Sequence, residues 1–348
     1  MLYQTKNPHG GDIYGEKVLL DFSANTNPFG TPPGVQAAIR EALPQLHRYP
    51  DPYCRKLVEA IGAFEELPKE YILCGSGAAE LIYAYAQALH PARALELAPT
   101  FSEYALGLAQ AGCRISRCFL RKEDGFEAGE ALLDAIGKEE PEVVFLCNPN
   151  NPTGKLLPPA LLEKVLNICK NRNIRLFLDE CFLDLTENGI SMKKFLRDCP
   201  NLFILKAFTK SYGMAGVRLG YGLCSDSGLL ESMSRTVQPW NVSSLAQAAG
   251  AAALKEGAFL RRTVEMVAVQ RKWLREQLAG LGLWVCSSDA NFLLFQGPEW
   301  LWAQLKQRGI AIRSCDNYPG LGPGWYRIAV RLPDENKRLI EEIRQLLS

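Results

Sequence analysis

Through the middle of the chain, short, mostly apolar runs alternate with stretches whose apolar residues recur at helical spacing. The runs lie at 71–74, 92–97, 143–146, 174–178, 202–205 and 219–224. Helix-like segments follow at 78–86 and around 104–111. Mostly apolar strands separated by amphipathic helices predict an α/β fold with a mostly parallel sheet covered on both faces. Beyond Trp240 the pattern changes. A long helical stretch covers 257–281, then strand-like 291–295, helix-like 300–308, strand-like 310–313 and 325–330, and a closing helix over 334–347. This predicts a large domain over 51–240 and a smaller α+β domain over 241–348. No repeat, low-complexity run or long linker interrupts either part.

At 348 residues the chain is long enough for a large core and two subdomains. A formal net charge of +1 gives no electrostatic case for nucleic acid or an anionic membrane. No uninterrupted apolar segment is long enough to span a bilayer, and residues 1–9 lack the apolar stretch of a signal peptide. The 11 cysteines are an odd number with no CxxC pair, and Cys147 and Cys224 sit in apolar runs. A reduced, cytoplasmic protein is expected, with neither a disulfide framework nor a zinc or other metal site.

The candidate chemistry lies where the strands end. Lys210 follows the run 202–205, and lysine is costly to bury unless it is paired or used. Asp179 ends the run 174–178, Asn151 follows 143–146 in Asn151-Pro152-Thr153-Gly154, and Arg218 lies eight residues beyond Lys210. Pyridoxal phosphate needs a lysine for its aldehyde, an acid for its ring nitrogen, a donor for its phenolic oxygen and cations for its phosphate. Gly75-Ser76-Gly77, between a strand and a helix, can cradle a phosphate on backbone N–H groups. The same glycines resemble the start of a dinucleotide fingerprint, with Glu96 about 20 residues on as a ribose ligand. Glu80 in place of the third glycine argues against that, and a nicotinamide enzyme leaves Lys210 and Asp179 unexplained.

Asn151-Pro152-Thr153-Gly154, Asp179-Glu180 and Thr209-Lys210 with Arg218 resemble the fold-type I pyridoxal-phosphate enzymes of the class I/II aminotransferase group, along essentially the whole chain. The resemblance implies a seven-stranded, mostly parallel sheet in the large domain, with residues 1–50 packing on the small one. It implies that Lys210 carries the cofactor and Asp179 holds its ring nitrogen protonated. Asn151 would donate to the phenolic oxygen, Tyr104 stack on the ring, and Ser76 and Arg218 hold the phosphate, with Gly77 and Thr209 in the same cofactor-binding set. Tyr49 would reach the cofactor phosphate of a partner subunit, which implies a homodimer with shared active sites. The plain alternatives are a cap for Asp179, a core tyrosine for Tyr104 and a turn aromatic for Tyr49. Two positions depart from the group: Ala207 replaces a hydroxyl residue, and Phe182 replaces a tyrosine.

Two further motifs narrow the resemblance. His9-Gly10-Gly11 precedes the run 21–30 (Asp-Phe-Ser-Ala-Asn-Thr-Asn-Pro-Phe-Gly), and Arg-Ser-Cys-Asp-Asn-Tyr-Pro-Gly-Leu fills 313–321. With Phe182 they look like the L-threonine-O-3-phosphate decarboxylase branch of the group. That implies release of carbon dioxide from O-phospho-L-threonine, leaving (R)-1-amino-2-propanol O-2-phosphate, in cobalamin biosynthesis; O-phospho-L-serine is the other candidate substrate. Arg327 matches the carboxylate-binding arginine; His9, Gly10, Asn25 and Arg313 are the candidates for the substrate phosphate. A terminal histidine and a solvated strand-end arginine are the plain alternatives for His9 and Arg313. Asp12 departs from the branch, putting a carboxylate beside the phosphate candidates. Histidinol-phosphate aminotransferase is the nearest competing reading. A non-catalytic, pyridoxal-phosphate-sensing regulatory module is the third, weakened by the lack of a basic DNA-binding region.

Overall fold

The computed structural model describes residues 9–15 and 17–348. A seven-stranded sheet runs in the order Ile72–Gly75, Gly220–Leu223, Leu202–Ala207, Arg175–Asp179, Val143–Cys147, Arg93–Ala98, Arg114–Phe119. Gly220–Leu223 is antiparallel to both neighbours, and the remaining pairs are parallel. Every residue of Val143–Cys147 and Leu202–Ala207 is buried, as expected of strands covered on both faces. Phe145, Phe177 and Phe203 occupy matching positions on adjacent strands, and their rings stack with centroids 4.5 and 5.1 Å apart. Helices Ala78–Leu89, Ser102–Gln110 and Ser227–Thr236 close the core on that face. On the other, Arg55–Glu65, Pro159–Asn171 and Ser244–Ala253 supply Leu57, Leu162 and Ala246.

The one antiparallel strand matters for chemistry. Antiparallel neighbours need no crossover helix. The chain leaves Leu202–Ala207, forms the short helix Phe208–Ser211, and returns down Gly220–Leu223. Lys210 and Arg218 therefore stay at the same end of the sheet, beside the ends of the strands that carry Asp179 and precede Asn151.

A second, all-antiparallel sheet has the order Arg313–Ser314, Trp325–Ala329, Phe292–Gln296, Trp284–Val285. Helices Gly257–Gly280 and Pro333–Leu347 back it through Val267, Leu274, Leu339 and Ile343. Phe22 joins that core, and Leu20–Asp21 pairs in parallel with Ile310–Ala311. Helix Pro33–Ala42, by contrast, packs on Ser244–Ala253. The predicted strand 310–313 is broken at Ile312: Ile310–Ala311 joins Leu20–Asp21, whereas Arg313–Ser314 joins Trp325–Ala329. Strand Arg114–Phe119 was not legible in the apolar pattern. It is the sheet edge, where charged residues such as Arg114 and Arg117 are tolerated and block further pairing.

Candidate active site

Lys210 sits in the short helix at the end of its strand, its carbonyl accepting from Asn27 N at 3.0 Å. Among the described residues its amine makes no hydrogen bond or ion pair; it lies 5.5 Å from the centre of the Phe182 ring. Burial, then the positive charges of Arg327 and Arg218, pull its pKa down to about 8. The amine therefore loses its proton far more readily than an ordinary lysine, although the charged form still dominates at pH 7. Asp179 ends its strand with Oδ1 accepting from Cys181 N at 2.8 Å and Oδ2 from the Tyr104 hydroxyl at 2.5 Å. Burial pushes its carboxyl above the ordinary range despite those bonds and the nearby Lys210. Such a carboxylate gains strongly from a positive partner, which a protonated pyridine supplies.

Tyr104 does not meet the ring-stacking expectation. It is wholly buried behind Asp179, tilted against Phe145 and Phe177, so it has no face to offer a ligand. Its contribution is the hydrogen bond to Asp179. Phe101, three residues earlier and only half-buried, is the aromatic with an open face; it contacts Tyr104 edge-on at 5.6 Å. The sequence signal was the Pro99-Thr100-Phe101 turn directly after a strand, which sequence reasoning passed over.

The phosphate candidates meet at the start of helix Ala78–Leu89. Gly77 has φ +86°, and a Cβ there would lie 2.7 Å from Arg218 Nη2, so only glycine lets the guanidinium approach. Arg218 itself holds φ 60°, a costly conformation for a non-glycine residue. Ser76 N donates to Glu80 Oε2 at 2.7 Å, and Asn241 Nδ2 donates to the same oxygen. Glu80, which spoiled the dinucleotide pattern, thus ties this turn together. Thr209 is buried beside Lys210, and Ala207, three residues before the lysine, offers no hydroxyl.

Arg313 and Arg327 are direct cross-strand partners, both buried, at 9% and 7% exposure. Like charges so placed repel and are costly to desolvate unless anions meet them. Arg327 Nη1 donates to Asn151 Oδ1 and Nη2 to Ser23 O at 3.0 Å, while its Nε is buried without a partner among the described residues. Arg313 Nη2 donates to Asn317 Oδ1 at 2.7 Å, with the guanidinium 5.4 Å from the Tyr318 ring. Asn25 is buried, and neither amide atom of its side chain has a partner among the described residues. Gly10 lies so close to Ser23 that a Cβ would come within 2.3 Å of its carbonyl oxygen. Gly11 N adds a 2.8 Å bond to Ser23 Oγ. His9 Nε2 lies 2.8 Å from Glu103 Oε1. Asp12 is exposed, which limits its repulsion of a phosphate. Tyr49 lies apart from these groups, 79% exposed and stacked on Trp240 at 4.6 Å.

A lysine amine with a lowered pKa, a buried carboxylate, an amide and a guanidinium against a glycine turn fit pyridoxal phosphate. The unpartnered Asn25 amide and Arg327 Nε fit an anionic substrate beside it. Sequence reasoning missed Phe101, Glu80, Ser23 and Glu103, whose roles depend on contacts between distant parts of the chain.

A family model, aminotransferase class I and II, matches residues 17–343. The threonine-phosphate decarboxylase of Salmonella typhimurium is 37% identical over 359 residues, covering 98% of this chain and 96% of that protein. Among solved structures, the histidinol-phosphate aminotransferase from Clostridium acetobutylicum superposes with a TM-score of 0.89 at 28% identity, covering 94% of this chain and 99% of that one. That from Sinorhizobium meliloti, solved in complex with pyridoxal-5'-phosphate, has a TM-score of 0.84 at 25% identity, covering 96% and 92%.

Proposed function

The chain belongs to the class I and II aminotransferase family of pyridoxal-phosphate enzymes, and we propose that within it the protein decarboxylates O-phospho-L-threonine to (R)-1-amino-2-propanol O-2-phosphate, the cobalamin-pathway step. The observation that carries this reading is the buried pair Arg313 and Arg327. Two buried arginines paired across neighbouring strands suit a substrate with two anionic ends, and a phosphorylated amino acid has a carboxylate and a phosphate. The 37% identity to a threonine-phosphate decarboxylase over nearly the whole chain supports the same choice.

When bound, pyridoxal phosphate supplies an aldehyde for amines and a ring that takes up the electron pair of whichever α-carbon bond stands perpendicular to it. The chain's own residues decide the rest. Arg327 holds the carboxylate; Arg313, His9 and Asn25 hold the phosphate, so the α-carbon cannot turn freely. Asp179 would hold the ring nitrogen and favour its protonated form, which would stabilise the charge that grows at the α-carbon. With the carboxylate lost as carbon dioxide and its bonding electrons left on the α-carbon side, Lys210 Nζ would be the group that returns a proton to the α-carbon.

A second reading, histidinol-phosphate aminotransferase, is favoured by the closeness of that fold. Phe182 weighs against it, because the hydroxyl that aminotransferases place there is gone. The test is incubation of the cofactor-loaded enzyme with O-phospho-L-threonine and no 2-oxo acid. Sustained release of carbon dioxide is expected. Efficient conversion of histidinol phosphate with 2-oxoglutarate, and no carbon dioxide from phosphothreonine or phosphoserine, replaces the first reading with the second.

A further inference from the structure

Glu103 lies in the first turn of helix Ser102–Gln110, between Phe101 and Tyr104. Both of its oxygens are engaged. Oε1 lies 2.8 Å from His9 Nε2, and Oε2 accepts from the Tyr83 hydroxyl at 2.7 Å. Its side chain is only 12% exposed. The His9 bond, with help from Tyr83 and against burial, holds its carboxyl below the ordinary range. The His9 ring also contacts Phe101, with centroids 6.0 Å apart. The two glycines after His9 are fixed on Ser23, whose carbonyl accepts from Arg327. The imidazole is thus located from two sides, by its own backbone and by a carboxylate more than ninety positions along the chain.

We propose that Glu103, braced by Tyr83, is a positioning residue for substrate recognition: it holds the His9 imidazole beside Phe101 in the orientation that meets the substrate phosphate. This rests on the phosphorylated substrate of the proposed function and adds the group that makes His9 competent. An imidazole on a terminal strap has rotamers to lose when it binds an anion. Fixing it beforehand removes that cost from the binding step. The same four residues, 101–104, also include Phe101 and Tyr104. One helix start therefore supplies the open aromatic face, the support for Asp179 and the tether for His9.

The test uses the cofactor-loaded enzyme with Glu103→Gln, Tyr83→Phe and the wild type. Michaelis constants are measured for O-phospho-L-threonine, and dissociation constants for L-threonine from the cofactor's absorbance change. Glu103→Gln is expected to raise KM for the phosphorylated substrate roughly three- to tenfold, the scale of ordering one side chain on binding. It should move kcat far less and leave L-threonine binding as it was. Tyr83→Phe should do the same more weakly, and it carries the test if Glu103→Gln folds poorly. Equal weakening of both ligands means that Glu103 only supports the fold, and unchanged binding of both means that it does not position His9; either result overturns the proposal. Wild-type enzyme with no preference for O-phospho-L-threonine over L-threonine overturns the substrate reading itself, and the tether with it.

Discussion

Single residues at this site are tuned by what surrounds them. Lys210 has an amine pulled down to about 8 by burial and by Arg327 and Arg218. Lys210→Ala should abolish turnover, because no other amine stands ready to take the cofactor or return the proton. Borohydride reduction followed by peptide mapping should fix the cofactor to Lys210 in the wild type, and labelling at any other lysine refutes the assignment. Phe182 packs edge-on against Phe292 with centroids 5.0 Å apart and lies under the lysine amine. Phe182→Tyr adds a hydroxyl able to donate one hydrogen bond, worth about 1 kcal/mol net. The variant should yield more 2-oxo acid or ketone per carbon dioxide released than the wild type when a keto-acid acceptor is present. An unchanged product ratio would show that Phe182 has no part in the choice of reaction.

At the scale of elements, a polar network pins the strand before Lys210 to the helix Arg55–Glu65. Lys206, buried in the strand before Lys210, lies 3.1 Å from Glu65 and 3.0 Å from Asp184; Tyr221 and Lys193 also bond Glu65. Burial alone would raise the Glu65 carboxyl, yet Lys206, Tyr221 and Lys193 hold it below its ordinary value. Its stabilising contribution is therefore present above the ordinary carboxylate value and lost as pH falls through the lower, folded one. Lys206→Met removes the buried cation that Glu65 and Asp184 share, leaving Glu65 with Lys193 and Tyr221 only, and should cost roughly 3–5 kcal/mol at neutral pH. In acid the deficit should shrink, because protonation removes the stranded charge. Denaturant titration at several pH values measures both, and a deficit that does not vary with pH contradicts the network. These elements differ in how far the sequence announced them. The central strands were plain because burial on both faces demands unbroken apolar runs. Lys210, Asp179 and Asn151 were plain because chemistry hangs from the ends of those runs. Strand Arg114–Phe119 was hidden by the charges an edge tolerates. Tyr104 was assigned to the ring because position along a helix start does not tell which aromatic faces outward. Glu103 gave no sign at all, since its partner His9 is brought to it only by the folded chain.

For the whole molecule, Leu46, Tyr49, Tyr53 and Trp240 are 57%, 79%, 69% and 46% exposed on the single chain. Large apolar groups left exposed in one stretch of chain and on Trp240, on which Tyr49 stacks, suit an interface. The expected assembly is a homodimer in which Tyr49 serves the neighbouring site. Sedimentation at micromolar concentration should give a dimer, and Tyr49→Phe should lose cofactor faster on dilution; a wild-type monomer with full cofactor occupancy would remove the shared-site reading. The two sheets carry separate duties. Asn151, Asp179 and Lys210 follow or end strands of the large sheet, whereas Arg313 and Arg327 belong to the small sheet, and His9 and Asn25 to the segment laid against it. An engineer, or natural variation, could therefore trade one acidic substrate for another by rewriting a single sheet edge and the strap beside it, without touching the groups that perform the bond-breaking chemistry.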